Sequence, residues 1–320
     1  MTHDFGIFRA FVWLRQYLYE TGIFSLHNAE AYTLSVGNIS TGGTGKTPVS
    51  LYLMEKYLQQ GKKVAYLSRG YGRKTTGFLQ VIPRNGNAFD FGEEALMVAK
   101  RFPNCLVAVC ENRVFGAKKM KEIADFEVLI LDDAFQHFRI YRDEDIVVID
   151  AQKLPFEDNM LPSGNLREPL SALQRADTVI INKLKDSSKI PLLQEKFAPY
   201  LAGHTKLFFC CPKLGKARHF FSEESKNLQN MEVIAFAGIG NPDFFRTQLE
   251  SEGVKVLDFF PFADHHFYTI EDIAKMPANV SLLTTEKDYC RMLNMPILAI
   301  LQERAIYFVP MELEWLGAKP

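Results

Sequence analysis

The chain has 320 residues, a formal net charge of −1 and 47% hydrophobic residues. That length accommodates one large or two moderate domains with ample interior for a core, and the near-neutral charge excludes a strong electrostatic attraction to nucleic acid. Cys105, Cys110, Cys210, Cys211 and Cys290 lack paired metal-ligand spacing, and an odd count argues against an all-disulfide scaffold, so they read as buried thiols of a reducing compartment.

The opening segment is apolar around most of a helix. Phe5, Ile7, Phe8, Phe11, Val12, Trp13, Leu14, Tyr17, Leu18 and Tyr19 leave Arg9, Gln16 and Glu20 as a narrow polar stripe. Such a helix is too short and too charged to span a bilayer, which takes roughly 20 apolar residues. Asp4 precedes the apolar part and no small-residue cleavage site follows, which argues against a secretory signal. Two readings stay open on the residues alone: a helix lying in a membrane interface, with Trp and Tyr at headgroup depth, or a helix packed on the protein's own core.

Next comes a strand over Tyr32 to Val36, then a glycine-rich stretch, Gly37-Asn38-Ile39-Ser40-Thr41-Gly42-Gly43-Thr44-Gly45-Lys46-Thr47-Pro48, then helical spacing from Val49 to Leu58. Backbone N–H groups and the helix dipole converge on an anion at such a turn. Gly42, Gly43, Thr44, Gly45, Lys46 and Thr47 are the expected phosphate-binding residues, Lys46 reaching the β- and γ-phosphates and Thr47 offering its hydroxyl to magnesium. The strict pattern has Gly where this chain has Ser40.

Strands and helices then alternate. Lys63 to Ser68 is an expected strand, with Ser68-Arg69-Gly70-Tyr71-Gly72-Arg73 at its carboxyl end, where open parallel sheets bind ligands. The arginines there suit an anionic substrate group. Gly86 to Phe91 reads as a loop, and Gly92-Glu93-Glu94 opens a helix to about Phe102, its carboxylates at the favourable end of the dipole. After a strand at Leu106 to Cys110 and a helix at Arg113 to Ala124, Val128 to Asp133 is a strand ending in two acids, with the form of a Walker B element. Asp132 or Asp133 is the expected magnesium partner. Ile146 to Ile149 and Thr178 to Ile181 are further strands, and the Gly- and Pro-rich stretch Leu161 to Pro169 is a long loop of the functional kind. Asn182-Lys183-Leu184-Lys185-Asp186 resembles a guanine-reading motif with its acid one place late, so guanine is not expected.

The remainder reads as a second α/β unit, with strands at Leu207 to Cys211, Val233 to Ala237, Val256 to Phe260, Val280 to Thr284 and Ala305 to Val309. Its polar clusters are Ala263-Asp264-His265-His266 and Thr284-Thr285-Glu286-Lys287-Asp288. Adjacent histidines point apart, so a proton-transferring or substrate-orienting histidine is expected there rather than zinc. The expected fold is α/β: a P-loop NTPase-like parallel sheet flanked by helices over residues 31–205, a smaller α/β domain over 206–320, and the amphipathic helix and lead-in over 1–30.

The glycine loop, Ser68 to Gly72, Asp132-Asp133-Ala134-Phe135-Gln136-His137, Pro162 to Pro169, Phe236 to Pro242, Asp264 to His266 and Thr284 to Asp288 together resemble the tetraacyldisaccharide 4′-kinase family, the lipid A 4′-kinases of Gram-negative bacteria. The resemblance implies transfer of the γ-phosphate of ATP, with Mg²⁺, to the 4′-hydroxyl of an acylated glucosamine disaccharide 1-phosphate. It implies a peripheral protein at the cytoplasmic face of the inner membrane, attached through the N-terminal helix. Catalytic roles would fall to Lys46, Glu93, Asp133 and His265, metal binding to Thr47, Asp132 and Asp133, and substrate contact to Arg69, Tyr71, Asn165 and Arg167. Oligomeric state is left open, and a monomer is compatible. The chain departs from the family pattern at Glu93, where the family writes Asp, at Ala95, where it writes Pro, and at Ala134, where it writes Gly. A nucleotide switch or metallochaperone-type NTPase acting on a protein partner is the alternative.

Overall fold

A computed structural model describes residues 14, 17–19, 21–84 and 86–320. Most of the expected N-terminal helix, residues 5–20, therefore lies outside the described residues. The strands are β1 (Tyr32–Gly37), β2 (Val64–Ser68), β3 (Leu79–Gln80), β4 (Leu106–Val109), β5 (Val128–Asp132), β6 (Glu144–Asp150), β7 (Thr178–Asn182) and β8 (Lys206–Leu214). They continue with β9 (Ala217–His219), β10 (Ser225–Lys226), β11 (Glu232–Ala237), β12 (Lys255–Pro261), β13 (Ser281–Thr285), β14 (Ile306–Val309) and β15 (Met311–Trp315). The helices that bear on the site are α1 (Lys46–Gln59), α2 (Glu93–Arg101), α3 (Arg113–Ile123), α4 (Pro242–Ser251) and α5 (Glu286–Met292).

The first sheet has nine strands in the order β15-β8-β7-β6-β1-β5-β2-β4-β3. All its pairs are parallel except the two edges, β15 on β8 and β3 on β4. Both faces of its centre are covered, so its strands are continuous apolar runs rather than alternating ones. Ile130 and Val148 pack on one face, Leu129 and Leu131 on the other. β1 sits mid-sheet between β5 and β6. Its carboxyl end, and the loop that follows, therefore lie beside the acids that end β5.

The second sheet has six strands, β10-β9-β14-β13-β11-β12. The expected boundary at 205/206 differs from the sheet membership. β8 pairs in parallel with β7, and β15 returns to pair with β8, so both belong to the first sheet. The chain crosses between sheets after Leu214, within the polar stretch Lys213 to Asn230. The return is held by packing: Trp315 lies 4.8 Å, ring to ring, from Tyr52 on α1. The segment expected as a loop, Gly86 to Phe91, contains a helical turn, Ala88–Phe91, because the Asn87 side chain caps it by accepting from the Asp90 N–H at 2.9 Å.

Helix α2, from the first sheet's half, packs on α5, from the second. Lys287 meets Glu94 at 2.8 Å, Arg101 pairs with Glu286, and the Phe89 and Phe267 rings stack 4.2 Å apart.

Candidate active site

Loop 38–45 connects β1 to α1 and is built for close approach. Gly45, at φ 93°, occupies the helix-cap position, and a Cβ there would lie 2.0 Å from Asn182 Nδ2. That amide donates to the Thr44 carbonyl at 3.0 Å. Lys183 Nζ reaches over the loop to the Gly43 carbonyl and to Asp150 Oδ2, both at 2.6 Å. The Asn-Lys pair thus braces the phosphate loop, while Asp186 accepts from the Ser188 N–H and hydroxyl.

The loop Leu161 to Pro169 is stitched alongside. Thr41 N–H donates to the Asn165 carbonyl at 2.8 Å, and Arg167 N–H donates to the Ile39 carbonyl at 2.7 Å. Gln136 Nε2 donates both to the Asn38 carbonyl and to Glu168 Oε1 at 2.8 Å, and Arg175 holds the other Glu168 oxygen. This places Asn165 and Arg167 beside the glycines.

The two strand-end acids face different partners, because Asp133 turns out of the strand at φ 48°. Asp133 lies 3.4 Å from Lys46 Nζ and accepts from Arg167 Nη1 at 3.0 and 3.1 Å. Burial raises its carboxyl, but Lys46 and Arg167 outweigh that and bring it below the usual range. Asp132 is buried, and its Oδ1 has no hydrogen-bond partner among the described residues. Burial first, then the nearby Glu94 carboxylate, push the Asp132 carboxyl up. Ala134, for which the family writes Gly, is buried and not at positive φ, so a side chain fits.

Helix α2 starts at Gly92, φ 81°, whose missing Cβ leaves room for the Tyr71 carbonyl. Its first two residues then diverge. Glu93 Oε1 meets His265 Nδ1 at 2.8 Å and Arg291 Nε at 2.7 Å. Glu94 faces the phosphate loop: burial raises its carboxyl, but Lys287, Lys46 and the Thr47 hydroxyl bring it below the usual range. His265, at φ 61°, is half exposed, and its ring lies 6.1 Å from that of Tyr71. Arg69 and Tyr71 are both exposed. Arg73 is not available to a substrate, because its buried side chain pairs with Glu111 and the Gly77 carbonyl.

The structure brings Lys46, Asp133 and Arg167 together beside the phosphate loop, with Asn165 stitched to Thr41, and brings Glu93, His265 and Tyr71 together at the start of α2; Arg69 is exposed after β2. Sequence reading passed over Glu94, Asn182, Lys183, Lys287 and Arg291. Four of them lie in stretches it singled out, the start of α2, the Asn-Lys motif and the Thr284 to Asp288 cluster, but the signal for their partners was three-dimensional. Among the described residues no group of three or more His, Cys, Asp or Glu side chains is arranged to hold a metal ion.

A mid-sheet phosphate loop with its Lys-Thr pair, facing strand-end aspartates, defines a P-loop nucleotide-binding protein. The model of the tetraacyldisaccharide-1-P 4′-kinase family matches residues 6–320, and the chain belongs to that family. It is 38% identical to the tetraacyldisaccharide 4′-kinase of Chlorobaculum tepidum, over 89% of this chain and 84% of that one. It is 40% identical to that of Chlorobaculum parvum, over 88% and 81%. A crystal structure of LpxK from Aquifex aeolicus in complex with ATP superposes with a TM-score of 0.79 at 29% identity, covering 98% of this chain and 93% of that one. The alternative of a switch acting on a protein partner finds no support in these relatives.

Proposed function

We propose that this chain transfers the γ-phosphate of ATP to the 4′-hydroxyl of tetraacyldisaccharide 1-phosphate, releasing ADP and the 4′-phosphorylated lipid. The observation that carries the residue roles is the divergence of Glu93 and Glu94. One helix start serves both the His265 pair and the phosphate loop, so acceptor and donor would meet there. A carboxylate can only accept, so His265 Nδ1 carries the proton toward Glu93 and the neutral ring keeps its lone pair on Nε2. Nε2 takes the proton of the 4′-hydroxyl as its oxygen attacks the γ-phosphorus in line. Loop amides and Lys46 hold the phosphates, and Lys46 and Arg167, now paired with Asp133, stabilise the charge that spreads over the transferring group. Arg69, Tyr71 and Asn165 contact the acylated disaccharide headgroup.

The donor set fits magnesium. Thr47 and Asp132 would hold it, Asp132 Oδ1 being a buried acceptor without a partner among the described residues; the ion would supply charge neutralisation at the β- and γ-phosphate oxygens. Peripheral attachment to a membrane surface is supported by exposed apolar residues near the N-terminus, Leu14, Ile23, Phe24 and Leu26, and the cytoplasmic face of the inner membrane is the one the family resemblance implies. No helix among the described residues is long and apolar enough to cross a membrane. His265→Ala and Glu93→Gln should each lower kcat strongly, and the double variant should be little worse than the poorer single. Independent multiplicative losses at saturating substrate would remove the pair from the mechanism.

A further inference from the structure

Arg291, on α5, is 1% exposed. Its Nε lies 2.7 Å from Glu93 Oε1, the oxygen that meets His265 Nδ1. Its Nη1 donates to Asp288 Oδ1 at 2.9 Å and to the His266 carbonyl at 3.3 Å. One guanidinium therefore touches both sides of the proposed base: the carboxylate on α2 and the backbone beside His265. The other Glu93 oxygen, Oε2, is buried with no hydrogen-bond partner among the described residues. Arg291 pairs with this carboxylate by charge and proximity, its Nε making no aligned hydrogen bond among the described residues, and Lys287 adds a second positive charge nearby.

Arg291 is itself fixed. Asp288 Oδ1 also accepts from the Gly238 N–H at 3.1 Å and the Tyr268 hydroxyl at 2.6 Å, while Oδ2 accepts from the Thr285 hydroxyl at 2.6 Å. A carboxylate with four donors does not turn, so the guanidinium it anchors stays in register. The same network reaches His265 through the main chain, since the His265 N–H donates to the carbonyl of Gly238 at 3.1 Å. His265 sits at a left-handed φ that a non-glycine residue holds only when its surroundings over-determine it. A glutamate, with three side-chain torsions, needs comparable restraint to present one oxygen.

We infer that Arg291 is a positioning residue for phosphoryl transfer: it assembles the Glu93–His265 pair across the two sheets, fixing Glu93 Oε1 toward Nδ1 and holding the His265 segment against α2. This rests on the reading of that pair as the base. The test is a cycle on the full-length protein: Arg291→Gln and Arg291→Lys, each in the wild-type and the Glu93→Gln background. Rates are normalised to the fraction of protein that binds a fluorescent ATP analogue. Arg291→Gln should lower kcat roughly 100-fold, the cost of misplacing a reacting group, with KM for ATP changed by less than ~2-fold because only the acceptor side is disturbed. Arg291→Lys should recover part of the loss. In the Glu93→Gln background either change should cost less than ~3-fold more, since residues acting as one unit do not add. Should Arg291→Gln fail to fold, Arg291→Lys keeps a cation opposite Asp288 and carries the same comparison. Losses that multiply in both backgrounds, or a KM for ATP that rises as kcat falls, overturn the inference while the pair stands. A fully active Glu93→Gln enzyme overturns both.

Discussion

A methyl group added at each glycine of the phosphate loop should have three different effects on stability. At Gly43 the backbone is not at positive φ and nothing lies within 4 Å of the added Cβ, so Gly43→Ala should be neutral or stabilising by about 0.4–1 kcal/mol through the unfolded chain. Gly42 has the same open space but φ 96°, where an alanine costs roughly 1–2 kcal/mol. Gly45 has φ 93° and a Cβ that would stand 2.0 Å from Asn182 Nδ2. Asn182 must then move, giving up its bond to the Thr44 carbonyl while 99% of it stays out of water, being 1% exposed. An unsatisfied buried amide adds roughly 1–3 kcal/mol, so Gly45→Ala should cost about 2–5 kcal/mol. Thermal unfolding of the ligand-free protein, followed by tryptophan fluorescence, should rank the variants Gly43, Gly42, Gly45 from highest to lowest melting temperature. Equal melting temperatures for Gly43→Ala and Gly45→Ala would refute the reasoning, because sterics and backbone strain would then not hold the loop.

Lys46→Ala should cut turnover about 100-fold or more through lost transition-state electrostatics, with circular dichroism unchanged; a folded variant that keeps most of its activity contradicts the loop assignment. Lys183→Met removes the brace from Gly43 to Asp150, so KM for ATP should rise about tenfold, the equivalent of one charged hydrogen bond, and an unchanged KM would make the brace irrelevant. Replacing Phe8, Phe11 and Leu18 together by Ser should weaken sedimentation with anionic vesicles, since each apolar side chain contributes roughly 1.5–3 kcal/mol when buried. If the wild type never sediments and the triple variant aggregates, the segment belongs to the core.

Chemistry was legible in this sequence where it is local. A strand, three glycines, Lys46-Thr47 and a helix follow one another without interruption, and Asp132-Asp133 end an apolar run, so chain order marks both motifs, while the β1–β5 pairing that brings them together and the turn that separates the two acids are not local. Sheet membership is not local. β8 reads as an ordinary apolar strand, and only its parallel pairing with β7 and the return of β15 show that it belongs to the first sheet. The same limit applies to charge. Glu94 is explained by the helix dipole until Lys46, Thr47 and Lys287 are seen around it, and Arg291 carries no signal of burial until α5 is packed on α2. Arg73 errs the other way: an arginine among glycines suggests a substrate contact, yet Glu111 occupies it.

The most direct test of the whole account is incubation of the purified chain with γ-labelled ATP, magnesium and tetraacyldisaccharide 1-phosphate in mixed micelles, followed by separation of the lipids. Label should appear in a lipid of the mobility expected for the 4′-phosphorylated product, only when the acceptor is present, and be lost in the Lys46→Ala variant. Label released solely as inorganic phosphate, at a rate indifferent to the lipid, would contradict the account.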